Sequence, residues 1–558
     1  RAPTDLPLRV RRLTVESEVL RYGGRTVEAH AVARRASALA ERLQDDRLIS
    51  DTKAGLAWTY VRMGAQTEAI TAFEASLEAA KTSGDQRRLG LALHHMGIVH
   101  SNLKHQWTRA LDYFERAISL REKLGDLSGL AFSLDAAGEM QSTLKRPKAI
   151  ARHRRALKLR RAVGNRRGEA QTLISLGSAL SRLGRPSDAL AYLQEGAARM
   201  REVGDGHYEG YAYFRLGRAY HRLGRYDDAV AAARQALSIA ESFRARIGTE
   251  TGRSGFADSV RWYYDLFVSA ASDQFSVDGE RRWVEAALEA SERARAKALV
   301  ETIGRVEVPR DEPVPEAQLQ MRDRLRQEIL RLEADQKIDR ATGGDPQRIA
   351  TREANIVARM TQFAKLMRRI DRSDPRRSAL LSTPIVTLDE AQAMIAGPDR
   401  LVVEFYLGAG GAYALAIGTA TAAVFALGAQ GSIDTQARRV HDLLTARNTV
   451  VDAESAAERA SRITSADKDA NDALKALRAR LFEPLASLLG AYHRIVVVAD
   501  KALHYVPFAA VLPDHEVVTL PSLTVLKAQR SRDSDAPVRR LAAIGDPVFG
   551  GDDLRIFS

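Results

Sequence analysis

Twelve histidines and no cysteine set the first limit on what chemistry this chain can carry. Without a thiol it contains no Cys nucleophile, no disulfide and no thiolate zinc site. His94, His95, His100 and His105 fall close together. They lack the i, i+4 spacing and the neighbouring carboxylates that would set two imidazoles on one ion, so neither metal nor other cofactor is expected. Gly408-Ala409-Gly410-Gly411 has the composition of a phosphate cradle. A cradle needs a helix N-terminus behind it, whereas a strand pattern follows here, so a hairpin turn is expected. No Walker A, H-E-x-x-H or G-x-S-x-G motif occurs. Arginine is what remains in excess. The formal net charge is +13, and most of the surplus is spread along helical segments. That suits a negatively charged partner, an acidic peptide or a nucleic acid, or else a solvated surface.

The elements that carry these arginines repeat. Gly84-Asp85, Gly125-Asp126, Gly164-Asn165 and Gly204-Asp205 step by 41, 39 and 40 residues. A small residue early in each second helix keeps the same step: Ala29, Ala69, Ala110, Ala149, Ala189 and Ala229. So does one in each first helix: Ala57, Gly97, Gly138, Gly177 and Gly217. Three landmarks in one register predict six helical hairpins between about residues 8 and 246, the first degenerate. One hairpin cannot bury its apolar face alone, so the hairpins are expected to stack into a superhelix with a concave groove.

Within residues 211–242, Tyr213, Leu216, Gly217, Tyr220, Gly224 and Ala229 lie on the pattern of the tetratricopeptide repeat. The unit resembles that family, with a period near 40 in place of the usual 34. The resemblance implies that first-helix side chains bind a peptide in the groove. The position five after each small residue is then expected to face it: Arg62, Asn102, Thr143, Arg182 and Arg222, with Arg218 and His221 as neighbours. The expected peptide-binding set is Arg62, Asn102, Arg182, Arg218, His221 and Arg222, whose arginines would grip carboxylates bidentately. Ordinary solvated side chains are the alternative. No aromatic residue interleaves with this row, which speaks against an RNA groove.

Beyond the repeats, 252–304 reads as a terminal helical pair, with RWYYDLFVSA (261–270) on its first helix and an Ala-rich run, 290–299, on its second. Three prolines in 306–316 break the helix. Two long charged helices, 317–336 and 347–370, follow as an antiparallel hairpin suited to an exposed arm. From about 384 the texture changes. Residues 400–408, 412–418 and 422–428 read as a β-meander. Helices are expected at about 432–447 and 468–490. Ile495–Val498 reads as a strand buried on both faces, with Asp500 at its end. A turn and helix (520–530) and a second buried strand (541–549) complete an α/β layered domain.

Asp500, Leu503, His504, Pro507 and Phe508, the Pro521-Ser522-Leu523 turn and Gly545-Asp546-Pro547 together resemble the CHAT domain, a caspase-like peptidase that follows tetratricopeptide arrays. The Ala-rich Glu292-Arg293-Ala294-Arg295 helix is similar to a segment between the two parts in that family. The resemblance implies a multidomain fold: an all-α tetratricopeptide-like superhelix (8–246), the helical pair (252–304), a linker and helical hairpin (306–372), and a partial caspase-like α/β domain (384–558). It implies a His–Cys dyad acting on a protein substrate, but no His here precedes Gly and no Cys is present, so no catalytic residue is expected in this chain. His504 is expected to be structural. The function implied is the regulatory and framework part of a cysteine peptidase controlled by a bound peptide. A non-catalytic scaffold that recruits a partner is the alternative. The first residues lack an apolar signal core and an initiator Met, as expected of a trimmed end, and no segment argues for export or a membrane span, so the cytoplasm is the expected compartment.

Overall fold

The computed structural model describes residues 6–341 with breaks at 23–25, 104, 247–249 and 306–314, scattered positions between 342 and 383, and residues 384–530 with breaks at 396, 398 and 450–453. Two compact units result. One comprises 1–259 and 313–370, the other 260–312 and 371–558. Among the described residues no helix is long and apolar enough to cross a membrane.

The first unit contains six helical hairpins: α1 (Leu6–Tyr22) with α2 (Thr26–Leu43), α3 (Asp46–Met63) with α4 (Gln66–Thr82), α5 (Gln86–Ile98) with α6 (Trp107–Lys123), α7 (Leu127–Thr143) with α8 (Lys148–Ala162), α9 (Arg166–Arg182) with α10 (Pro186–Glu202), and α11 (Gly206–Arg222) with α12 (Tyr226–Arg246). The Gly-Asp pairs work as a stop and a start. Gly84, Gly125, Gly164 and Gly204 take left-handed φ values of 62–70°, which a Cβ would oppose. The next side chain caps the following helix: Asp85 accepts from the backbone N–H groups of Arg87 and Arg88, Asn165 from that of Gly168, and Asp205 from that of Tyr208. Between the first two hairpins Gln44, at φ 50°, stands where glycine would, and Asp45 still caps α3.

The small residues sit where helices cross. A Cβ on Gly97 would overlap the Phe114 ring, one on Gly138 would lie 2.8 Å from His153 Cε1, and one on Gly177 would lie 2.6 Å from Leu193 Cγ. The uneven period has a local origin. Seven residues separate the small residue from the left-handed turn residue in four hairpins (Ala57 to Gly64, Gly138 to Lys145, Gly177 to Gly184, Gly217 to Gly224), but eight separate Gly97 from His105. A single π-helical turn, Val99–Leu103, takes up the additional residue. In the fourth hairpin only four residues separate the left-handed Lys145 from Ala149, against five from turn to small residue in its neighbours, which restores the step. The first unit also includes α15 (Glu316–Ala341). Most of the expected partner helix, 347–370, lies outside the described residues.

The second unit is built on a five-stranded sheet in the order β3-β2-β1-β4-β5. β1 (Arg400–Gly408), β2 (Gly411–Ile417) and β3 (Ala422–Gly428) form the antiparallel meander, while β4 (Arg494–Val498) and β5 (Glu516–Leu520) run parallel to β1. β1 alternates between two covered faces. Leu401, Val403, Phe405 and Leu407 join Ile433, Ala437, Leu477, Leu481 and Phe482 from the helices Gln430–Leu444 and Ala456–Phe482 in one core. Glu404 and Tyr406 point the other way, toward α13 (Glu250–Asp278, which enters this unit at Val260) and α14 (Arg281–Arg305).

The two helices α13 and α14 lie where the helical pair 252–304 is expected, and their charged side chains are locked into the sheet. Asp265 of α13 accepts from the Tyr406 hydroxyl at 2.8 Å and from the Ala409 N–H at 3.1 Å. Glu292 of α14 accepts from Ser522 Oγ (2.7 Å) and from the N–H groups of Leu523 (3.0 Å) and Thr524 (2.9 Å), capping the helix Leu523–Arg530. Arg295 donates to Glu404, and to the carbonyls of Phe405 on β1 and Ala499 after β4. Burial, then repulsion from Glu292, pushes the Glu404 carboxyl up to about 8. The expected strand at 541–549 lies outside the described residues. β5 was not expected, and the long helix begins at Ala456 rather than near 468.

Candidate peptide-binding face

The small residue of each first helix faces its own second helix. A different stripe, at spacings i, i+4, i+7 and i+11, lies on another side of the same helix. On α5 it is Leu91, His95, Ile98 and Asn102; on α7, Phe132, Ala136, Glu139 and Thr143; on α9, Gln171, Ser175, Ser178 and Arg182; on α11, Tyr211, Arg215, Arg218 and Arg222. Contacts between neighbouring first helices confirm that these stripes adjoin. Arg182 grips both oxygens of Glu139 at 2.6 and 2.7 Å and reaches Thr143 Oγ1 at 3.3 Å. Arg222 donates to Ser181 Oγ at 3.1 Å.

Four of the expected positions therefore meet. Thr143 and Arg182 are hydrogen-bonded across α7 and α9, Arg222 of α11 reaches Ser181, the residue before Arg182, and Arg218 lies one turn before Arg222. Arg62 and Asn102 are exposed on α3 and in the π turn. Among the described residues neither bonds to this row, and Asn102 Oδ1 accepts from Ser101 Oγ. His221 packs its ring on Tyr226 of α12, with centroids 5.2 Å apart. Arg215 and Glu139 belong to the cluster and were not expected. Arg215 donates from Nε to the Tyr211 hydroxyl at 2.8 Å. Its spacing from Arg218 and Arg222 was the available signal.

The electrostatics are unbalanced. Four guanidiniums, those of Arg182, Arg215, Arg218 and Arg222, share this end of the face. Among the described residues Glu139 is the one carboxylate ion-paired with any of them. Burial, then the charges of Arg215, Arg222 and Arg182, pushes Arg218 down to about 10. Burial followed by Arg182 and Arg215 also lowers Arg222. Burial acts to raise Glu139, but Arg182 and then Arg215 and His153 outweigh it and hold this carboxylate below its usual range. Beneath the face, His153 Nδ1 sits 2.6 Å from Asp135 Oδ1, and Thr172 Oγ1 donates to Asp135 Oδ2 at 3.3 Å. Arg160, also buried, lays its guanidinium over the Phe132 ring at 3.9 Å. This arrangement can bind anions. Among the described residues it contains no group of ligands able to hold a metal ion.

A tetratricopeptide repeat family model matches residues 145–202 and 168–242. No curated protein sequence matches the chain. Solved structures that do match include BtubC (BKLC) from P. vanneervenii, 20% identical, covering 36% of this chain and 84% of that one with a TM-score of 0.33. A Signal Transduction ATPase with Numerous Domains protein with a tetratricopeptide repeat sensor, from Pyrococcus horikoshii, is 14% identical, covers 65% of this chain and 48% of its own, and gives a TM-score of 0.37. A Rap protein complexed with Competence and Sporulation Factor is 15% identical, with 66% and 99% covered and a TM-score of 0.36. Scores this low carry no functional argument. Residues 145–242 are thus tetratricopeptide repeats.

Proposed function

We propose that this chain is a peptide-responsive regulator: the concave face of the repeat array binds an acidic segment of a partner protein, and the α/β unit is the front part of a caspase-like CHAT domain under its control. The arginine cluster carries the first half of this reading. Three of its four positive charges lack a carboxylate among the described residues, and their mutual repulsion is relieved when carboxylates enter. Bidentate guanidinium–carboxylate pairs favour such a ligand, and the attraction weakens as salt screens it. The second half is supported by β1, β4 and β5 running parallel between two helical layers, with Asp500, just after β4, accepting the Leu407 N–H at 2.7 Å. This cysteine-free chain supplies framework rather than the thiol chemistry of such a peptidase.

The test uses a fluorescein-labelled hexaglutamate peptide and anisotropy. Reversing two charges, Arg218→Glu with Arg222→Glu, should weaken binding at least tenfold and flatten its salt dependence. Reversing the exposed Arg154 and Lys158 on α8 should change little. No binding by the wild-type chain, or equal loss from both reversals, refutes the peptide half. The peptidase half is tested on the reading frame containing this chain: a downstream His-Gly and strand-end Cys, with cleavage switched by the peptide, support it, whereas their absence favours the scaffold.

A further inference from the structure

The arginines occupy one end of the face, and the other end has a different character. Leu91 on α5 and Phe132 on α7 occupy the same rung of successive stripes, yet they remain 42% and 47% exposed. Large apolar side chains left in water at equivalent positions of neighbouring repeats make a contiguous patch. Phe132 is also held in place. The Arg160 guanidinium, 1% exposed, backs one side of the ring at 3.9 Å, and His94 meets it edge-on at 6.3 Å. A cation–π contact of this kind orients the ring while leaving part of it open. An aromatic already fixed in position loses little conformational freedom when a ligand covers it, so it anchors well.

We infer that Leu91 and Phe132 form an apolar subsite that takes a hydrophobic side chain of the same acidic peptide, so that the ligand is a two-block segment with one apolar anchor and a separate acidic block. This rests on the reading of the arginine cluster as the acidic subsite. The patch is continuous with that cluster: the same rung runs from Leu91 and Phe132 through Gln171 to Tyr211, whose hydroxyl receives Arg215. The ligand's spacing follows from the array. α7 and α11 are two first-helix steps apart. Packed helices lie about 8–10 Å apart, which makes about 16–20 Å. Arg218 and Arg222 also lie seven and eleven residues further along the helix than the rung of Phe132, about 10–16 Å at about 1.5 Å per residue. The diagonal is then about 19–26 Å, and an extended peptide advances about 3.3 Å per residue, so about six to eight residues should separate the anchor from the acidic block.

The experiment titrates three labelled peptides into the full chain: three glutamates alone, the same block with a Leu six residues away across a Gly-Ser spacer, and that peptide with the Leu adjacent to the block. The spaced peptide should bind at least fivefold more tightly than the other two. Phe132→Ala and Leu91→Ser should each abolish that advantage and leave the affinity for the plain acidic block unchanged. Leu91→Ser guards against a folding defect in Phe132→Ala, because it leaves both partners of the Phe132–Arg160 contact in place. The inference is overturned if the spaced and adjacent peptides bind equally, or if Leu91→Ser leaves the advantage intact. If the acidic block itself fails to bind, or binds independently of Arg218 and Arg222, the underlying reading of the arginine cluster fails instead.

Discussion

Replacing Glu404 by Gln should remove most of the pH dependence from the stability of the α/β unit. Glu404 is fully buried on β1. Its Oε1 receives Ser291 and Arg295, while Oε2 has no partner among the described residues. In the folded unit this carboxyl keeps its proton up to about pH 8, whereas its ordinary value is 4.5. Between those values the folded state binds a proton that the unfolded chain has released. Stability therefore falls as pH rises through that window and levels off above it. Each pH unit is worth about 1.4 kcal/mol per proton, so the whole interval bounds the loss at about 5 kcal/mol. Glutamine keeps an oxygen for Ser291 and Arg295 and resembles the protonated acid, with the same unpaired donor. Near pH 5 the variant should match the wild type within about 1 kcal/mol. The assay is amide exchange of residues 401–407, corrected for intrinsic rates. From pH 6 to 8 wild-type protection should drop by roughly a hundredfold, as two pH units at that slope require, and that of Glu404→Gln by less than threefold. Parallel losses in both proteins, or a flat wild-type profile, would refute the reasoning.

Four further outcomes are expected. Gly97→Ala should lower stability in urea melts by about 1–3 kcal/mol, because the methyl overlaps the Phe114 ring. Gly55→Ala, whose nearest neighbour would be Thr14 Cγ2 at 3.9 Å, should instead be neutral or stabilising by up to about 1 kcal/mol. Gln44→Gly should raise stability by about 1 kcal/mol, since it relieves a left-handed conformation in a residue with a side chain. Glu139→Gln should tighten hexaglutamate binding several-fold and steepen its salt dependence, with a lower thermal midpoint, because it removes the carboxylate that partly neutralises the arginines.

The repeats were legible because backbone geometry demands particular residues at fixed places: glycine at the left-handed turn, Asp or Asn at the cap, a small residue at the crossing. The meander and β4 were legible from their apolar runs. β5 was not, since Glu516–Leu520 is short and mostly exposed, with Val517 only partly buried against the core and Val518 40% exposed. The start of the helix at Ala456 carried a readable signal, the Ser455–Glu458 capping box, that was passed over. Glu292 and Arg295 looked like solvated charges on an Ala-rich helix. Their partners, Ser522 and Glu404, lie more than a hundred residues away, and no local pattern encodes such a distance. On the first-helix stripes, choosing one position per helix picked out Arg182 and Arg222, whereas following the whole stripe would have added Arg215 and Glu139.

The π turn at Val99–Leu103 makes the array unevenly tolerant of changes in length. Deleting one residue there would convert a loose turn into an ordinary α-helical one and leave every downstream helix in phase. The same deletion inside α9 has no slack to draw on. It would rotate the helix end by about 100° and carry Arg182 away from Glu139 and Thr143. Over time, single-residue gains and losses should therefore collect in the third hairpin and be purged from the fifth.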